Sequence, residues 1–430
     1  MVETLFLVGI FVAVFVGFNI GGSSTGVAFG PAVGSNTVSK VVAAGLMTIF
    51  ALLGGWTVGR EVVQTLGSDL VTTTFTIEIS IGVLFFIGLA LFLSNLFGVP
   101  ASTSMTAVGA MAGLGLARGT LDGAEMGQIV VWWLVSPVIA FWVSAVVGRY
   151  YYPRLVEWFA VTQTEGALLV LDHSGAYPRP VLGPNTTRRE FVGTALVVGI
   201  GCYMAFSAGA SNVANAVAPL VGSGSLEMNQ AILLGGGAIG LGAFTIARRT
   251  MDTVGNDLTE LPLLAALVVA TVSSTIVTGL SALGVPASFV IIATMSIVGL
   301  GWGRATRTVT VSDAREGEVP DVSVGGLAAE TPETPTVGGG GGTADGHGGP
   351  GSGDDDSAGA RVGHAGAGTG NDDASGGPDV SPIGAEDEED IPDAEDLFEP
   401  GTTARVIFLQ NVVPAIATVA SFLLFRFVSF

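Results

Sequence analysis

Cysteine occurs once in the 430 residues, lysine once and histidine three times. The lone Cys202 excludes an intrachain disulfide. His173, His347 and His364 all lie in polar stretches, which argues against a buried histidine metal site. No nucleophile–base set and no phosphate-loop signature is present, so an enzyme is not expected and no catalytic residue is assigned. Charge is scarce too: 12% of the residues are charged, 49% are hydrophobic, and the mean hydropathy is +0.64. That balance excludes an ordinary soluble domain and fits a chain that crosses a bilayer many times.

The net charge of −20 is a local property. Residues 305–404 hold 22 of the 36 acidic and 3 of the 16 basic residues, which leaves 14 and 13 for everything else. The acidity therefore says nothing about a substrate, and the basic footprint that nucleic acid requires is missing. Within 305–404 the runs Gly338–Gly342, Asp354–Asp356 and Glu386–Asp390 sit among Gly, Ser, Pro and Ala. Such a segment cannot bury enough apolar surface to offset its chain entropy, and a disordered, solvated loop is expected.

Apolar runs approaching the roughly 20 residues that span a bilayer occur at 4–20, 38–59, 76–97 and 127–149, then at 191–208, 228–247, 262–282 and 405–428. The first is preceded by Glu3 and no basic residue, so a retained membrane helix is expected rather than a secretory signal. The loop 151–190 carries Arg154, Arg179, Arg188 and Arg189 and is expected on the cytoplasmic side.

The chain is duplicated. Gly98-Val99-Pro100-Ala101-Ser102 recurs as Gly284-Val285-Pro286-Ala287-Ser288, an offset of 186 that also pairs Arg118 with Arg304. Upstream the offset is 188, pairing Thr65-Leu66-Gly67-Ser68-Asp69-Leu70 with Thr253-Val254-Gly255-Asn256-Asp257-Leu258. Pro137 and Arg149 have the spacing of Pro414 and Arg426 at an offset of 277, so about ninety residues were inserted before the last helix of the second copy. The chain thus divides into a first transmembrane repeat at 1–150, a polar loop at 151–190, a second repeat at 191–304, the acidic insert at 305–404, and the second repeat's last helix at 405–430.

The fold class expected is an all-α integral membrane protein of two homologous repeats with re-entrant or broken helices. Five crossings per copy would invert the repeats and four would leave them parallel; the inverted arrangement is the expectation. Stretches 99–117 and 285–303 start at a proline and are rich in small residues, and 21–37 and 209–226 are of similar composition. Segments of that kind are tolerated at membrane depth where they line a protein cavity. Matched interrupted segments in duplicated halves point to a secondary transporter.

Two clusters carry candidate chemistry. Ser102-Thr103-Ser104 opens an apolar helical segment, where unpaired backbone N–H groups and the helix dipole favour an anion without any basic side chain. The competing structural role is capping and bonding back to the helix. Ser211, Asn212 and Asn215 lie in Gly209–Ala216, and their amides can coordinate a cation or donate to an oxyanion. Tight helix packing with interhelical hydrogen bonds would explain them equally well. The matching first-half stretch has Ser23, Ser24 and Thr25, and the second Pro-led segment has Ser288. Asp69 and Asp257, equivalent between the copies, are candidate coupling-ion ligands near span ends.

At these residues the chain resembles the inorganic phosphate transporter family, the sodium- or proton-coupled PiT-type permeases. That family carries Gly-Ala-Asn-Asp-Val-Ala-Asn-Ala and Gly-Leu-Pro-Val-Ser-Thr-Thr once per half. Gly209–Ala216 is similar to the first, with Ser211 and Asn212 in place of Asn and Asp, and Gly98–Ser104 is similar to the second. Ser23, Ser24 and Val27 stand where the family has Asn, Asp and Asn, and Ser288-Phe289-Val290 replaces Ser-Thr-Thr. Both motif carboxylates are absent, which weighs against sodium coupling and makes the site kinder to a dianion. Asn19-Ile20-Gly21-Gly22 together with Gly98–Ser104 is similar to the sulfate permease branch.

The resemblance implies a multi-pass cell-membrane permease for inorganic phosphate, with Na⁺ or H⁺ as coupling ion, no cofactor and no resident metal. Alternating access between the repeats and a homodimer are the further expectations. Sulfate is the rival substrate, and a transport-dead anion sensor the rival function. The anion would be bound by Ser102, Thr103 and Ser104, with Ser23, Ser24, Thr25, Ser211, Asn212, Asn215 and Ser288 completing the cavity. Asn212, Asn215, Asp69 and Asp257 would serve the coupling ion.

Overall fold

The computed structural model describes residues 2–35, 37–96, 102–159, 169–172, 179–182, 187–246, 263–305 and 400–428. The acidic insert lies outside them except at its two ends, as do Gly98–Ala101, the three histidines and Asp257. The described chain is almost wholly helical. In order the helices are α1 (Val2–Gly34), α2 (Lys40–Thr57), α3 (Gly59–Gln64), α4 (Ile77–Leu96), α5 (Thr103–Arg118), α6 (Gly123–Val146), α7 (Tyr152–Phe159), α8 (Arg188–Gly222), α9 (Met228–Thr245), α10 (Leu263–Ala282), α11 (Phe289–Ala305) and α12 (Pro400–Phe427). Six helical segments among the described residues are long and apolar enough to cross a membrane, and α11 and the described end of α12 add shorter apolar helices. An antiparallel ribbon, β1 (Leu169–Asp172) with β2 (Arg179–Leu182), and α7 occupy the polar loop.

Local sequence explains where several helices start. The Asp122 carboxylate accepts from the backbone N–H groups of Ala124 and Glu125, both at 2.9 Å, and opens α6. Thr187 and Glu190 form a reciprocal capping box at the head of α8. Gly119, with φ +68°, closes α5 in the left-handed conformation that a side chain would resist.

The small-residue stretches 21–37 and 209–226 are not separate segments, contrary to the sequence expectation. They continue the first helix of each half, so α1 runs unbroken to Gly34 and α8 to Gly222. Hydroxyls there satisfy their own helix: Thr25 Oγ1 donates to the Gly21 carbonyl at 2.7 Å. The glycines admit neighbouring backbones instead of breaking the helix. The chain does break between α10 and α11, where Gly284 has φ +74° and residues 285–288 are irregular.

Each half packs chiefly on the other. Helix α2 lies on α8 while α9 lies on α1; α5 lies on α12 while α11 lies on α6. The contacts correspond residue by residue. A methyl group at Gly54 would strike the Phe206 carbonyl oxygen, and one at Gly242 would strike that of Phe18. Both members of the second pair differ from the first by the 188 offset of the sequence repeat. Likewise Gly209 abuts the Ala51 carbonyl and Gly21 that of Ile239. Gly113 abuts the Thr418 carbonyl and Gly299 that of Phe141, matching the offsets 186 and 277. The Ser421 hydroxyl reaches the Ala110 carbonyl at 2.6 Å, and the corresponding residues Ser144 and Ser296 share a hydroxyl–hydroxyl bond. In a bilayer, where lipid is as apolar as leucine, close backbone approach and such buried bonds are what hold helices together.

Candidate functional site

Ser102 is the N-cap of α5: its φ and ψ are extended, −72° and 108°, and its hydroxyl accepts from the Met105 N–H at 3.2 Å. That leaves other first-turn N–H groups of α5 without partners inside the helix. The next two residues turn away from their own helix toward the middle of α8. Thr103 Oγ1 donates to Asn212 Oδ1 at 2.6 Å, and Ser104 Oγ shares a bond with Ser211 Oγ at 3.1 Å. Asn215 Nδ2 then donates to Ser104 Oγ at 3.3 Å and to Asn212 Oδ1 at 3.2 Å.

Five of the sequence candidates (Thr103, Ser104, Ser211, Asn212 and Asn215) are thus one hydrogen-bonded network at the positive end of α5. Ser104, Ser211 and Asn215 are fully buried, and Asn212 is nearly so. No charged side chain takes part in these bonds. One valence stays open: Asn215 Oδ1 is buried and has no hydrogen-bond partner. A buried acceptor left so costs about 1–3 kcal/mol, which a donor would recover.

The second copy approaches the same network through its irregular link. Ser211 Oγ donates to the Ala287 carbonyl at 3.0 Å, and Trp133 Nε1 donates to the neighbouring Pro286 carbonyl at 2.7 Å. Ser288 is buried, and its hydroxyl accepts from the Ile291 N–H at 3.4 Å, the same cap that Ser102 forms on α5. Beyond the cap the two copies diverge. Phe289 and Val290 occupy the positions of Thr103 and Ser104 and have no hydroxyl with which to reach α1.

The remaining candidates are not drawn into the network. Ser23 Oγ lies 3.1 Å from the Ile20 carbonyl and 3.3 Å from that of Asn19, on its own helix. Thr25 is likewise bonded back, and Ser24 is half-buried. Asp69 is exposed on a π-turn, Thr65–Asp69, where its carboxylate accepts from the Ser68 hydroxyl at 3.0 Å. Asp257 falls outside the described residues. Among the described residues no group of three or more His, Cys, Asp or Glu side chains could hold a metal ion.

Sequence reasoning passes over Trp133 and Asn95. Asn95 Nδ2 donates to Asn19 Oδ1 at 3.1 Å and to its carbonyl at 3.2 Å, tying the end of α4 to α1. Nothing local marks either residue, because their partners lie 76 and 153 positions away. Trp133→Phe keeps most of the ring but removes the donor to Pro286. We expect a loss of about 1–2 kcal/mol, read as a lower thermal midpoint in detergent, with a matching fall in transport if the link holds Ala287 in register.

The geometry can be set beside known proteins. The family model described as phosphate transporter family matches residues 20–317. The chain is 29% identical over 300 residues to the sulfate permease CysP of Bacillus subtilis, covering 69% of this chain and 77% of that protein. Its fold is similar to a solved structure described as "The sodium-dependent phosphate transporter", with a TM-score of 0.56, 20% identity, and coverage of 73% of this chain and 93% of that one. The family match spans well over half of the sequence and includes both arms of the buried network. This chain belongs to the phosphate transporter family, as a multi-pass protein of the cell membrane and a permease rather than an enzyme.

Proposed function

We propose that the chain moves inorganic phosphate across the membrane, coupled to a cation gradient, by alternating access between two inverted repeats. The observation that carries this reading is the network joining the α5 N-terminus to α8. It gathers three hydroxyls and two amides at the positive end of a helix dipole, with no fixed cation to trap the anion. Ser102, Thr103 and Ser104 would bind the oxyanion, with Ser211, Asn212 and Asn215 completing its shell. Ser23, Ser24, Thr25 and Ser288 would stand further out. The open valence of Asn215 Oδ1 supports phosphate in particular, since hydrogen phosphate keeps an O–H that can donate to it.

Coupling would draw on the same oxygens. Asn212 Oδ1 and Asn215 Oδ1 are the buried side-chain acceptors through which a cation could be held, with Asp69 and Asp257 as outlying candidates nearer the surface. Full burial of Ser104 and Asn215 supports alternating access, because an anion can reach them only when α5 and α8 part.

Sulfate is the second reading, and one observation favours it. No carboxylate is hydrogen-bonded in the network, so no fixed negative charge in it repels a fully ionised dianion. The similarity to a sulfate permease agrees with that. Uptake of labelled phosphate and of labelled sulfate into proteoliposomes, each with and without a sodium gradient, decides. Gradient-stimulated phosphate uptake that excess sulfate does not suppress is the expected result. Preferential sulfate uptake transfers the assignment, and binding without uptake makes the protein a sensor.

A further inference from the structure

In the second half of the molecule a line of polar residues leads to the buried network. Along α8, Tyr203, Ser207, Ser211 and Asn215 follow one another at intervals of four and share a helix face. That ridge runs from the half-buried Tyr203 to the fully buried Asn215. It lies against α10: the Tyr203 hydroxyl meets the Thr275 hydroxyl at 3.3 Å, and Ser207 Oγ donates to the Ser274 carbonyl at 3.1 Å. On α10, Ser274, Thr278 and Ser281 share one helix face at spacings of four and three. Their three hydroxyl oxygens are buried and none has a hydrogen-bond partner. Hydroxyls in helices ordinarily bond back to their own turn, as Thr271 and Ser273 do on the same helix. Three such exceptions on one face leave hydrogen-bonding capacity that a partner from outside the protein could take.

The equivalent seam in the first half is built differently. Subtracting the repeat offsets places Phe15 at the position of Tyr203 and Phe92 at that of Thr278. Their rings pack at 5.8 Å between α1 and α4, and Phe15 also fills the space a side chain at Gly88, the counterpart of Ser274, would need. At these positions the first copy places two aromatic rings, and at the counterparts of Ser207 and Ser281 it has Asn19 and Asn95, which hydrogen-bond to each other, whereas the second copy has hydroxyls without partners.

The geometry points to the α8–α10 seam as the aqueous route by which the oxyanion passes between the Ser104–Asn215 network and one side of the membrane. Ser274, Thr278 and Ser281 stand in for its hydration shell along the way. The inference rests on reading that network as the anion site, and it adds the residues that lead to it. An anion shedding water needs donors at every step, and a hydroxyl supplies one without the fixed charge that would hold the anion in place.

The test exploits the single native cysteine. In a Cys202→Ser background, Ser274→Cys, Thr278→Cys and Ser281→Cys are exposed in proteoliposomes to a small sulfonate-bearing methanethiosulfonate. Val277→Cys and Leu280→Cys on the adjoining buried face serve as references. We expect the seam cysteines to be modified at least about tenfold faster than the references, and uptake to stop once they are. Rates no faster than that of Val277→Cys overturn the route. Thr278→Val gives an independent reading, because it removes an unpartnered hydroxyl at nearly constant shape. Its thermal midpoint should hold or rise while anion uptake slows by about tenfold; unchanged uptake overturns the route as well. Modification requires only water in the seam, so a failure here is separable from a wrong substrate assignment, which the uptake comparison detects alone.

Discussion

The Thr103→Val/Ser104→Ala double variant is expected to lose anion uptake by about 100-fold or more. Hydrogen bonds to a charged group contribute about 1.5–3 kcal/mol each, and about 1.4 kcal/mol is a factor of ten. Two such donors leave together, and Asn215 Nδ2 loses its Ser104 partner as well. The helix cap at Ser102 stays in place, so the fold should persist with a thermal midpoint lowered only by the polar partners left on Asn212 and Asn215, while initial uptake rates in proteoliposomes collapse. The matched pair Ser23→Ala and Thr25→Ala should cost less than about threefold, because these hydroxyls are spent on their own helix. Equal losses from the two sets would mean that both halves contribute alike, and the assignment of the site to the α5–α8 junction would fail.

The second large effect concerns stability. Gly54→Ala and Gly242→Ala each push a methyl group into a backbone carbonyl of the facing helix, Phe206 in one case and Phe18 in the other. Backbone in a packed helix cannot rotate away as a side chain could, so the helices must separate and forfeit their contact. About 3 kcal/mol is expected for each, a fall of thermal midpoint on the order of 3–5 °C. Gly279→Ala, with open space around its site, should be neutral or stabilising by up to about 1 kcal/mol. The two crowded variants should behave alike, since one contact is the repeat image of the other. A variant pair in which Gly54→Ala is harmful and Gly242→Ala is silent would break that equivalence.

Under the proposed transport cycle, the interdigitation of the halves would give these glycines a role in motion as well. Because α2 lies on α8 and α9 on α1, a defect at Gly54 or Gly242 loosens contact between the copies rather than within one. In the proposed alternating-access cycle that is also the contact that would shear. Close glycine packing lets two helix backbones slide with few side chains interlocked across them, so stability and transport are expected to fall together in these variants.

The membrane spans and the duplication are legible from composition and from the recurring Gly-Val-Pro-Ala-Ser, because both are properties of order along the chain. Helix ends come out within a few residues where apolar runs stop at polar ones, as at α4 and α10. The stretches 21–37 and 209–226 look like breaks by composition and are not, since small residues weaken a helix in isolation and strengthen it where another backbone approaches. Ser104 and Asn215 can be nominated from the sequence, but their bond spans 111 positions. Nothing local distinguishes them from Ser23 and Thr25, whose hydroxyls have the same chemistry and a different use.

By itself, then, the sequence determined that this chain lives in a membrane, is built twice over, and belongs with anion permeases. It also recorded that Thr103-Ser104 in one copy answers to Phe289-Val290 in the other. Only the tertiary structure decided which of the polar residues meet, because a hydroxyl in a helix bonds back to its own turn unless a neighbouring helix offers a better partner at hydrogen-bonding distance. The α5 N-terminus finds such partners on α8 and leaves one acceptor, Asn215 Oδ1, unanswered. Distance between helices, which no pattern along a single chain encodes, separates the copy whose hydroxyls bridge two helices from the copy whose hydroxyls bond back to their own.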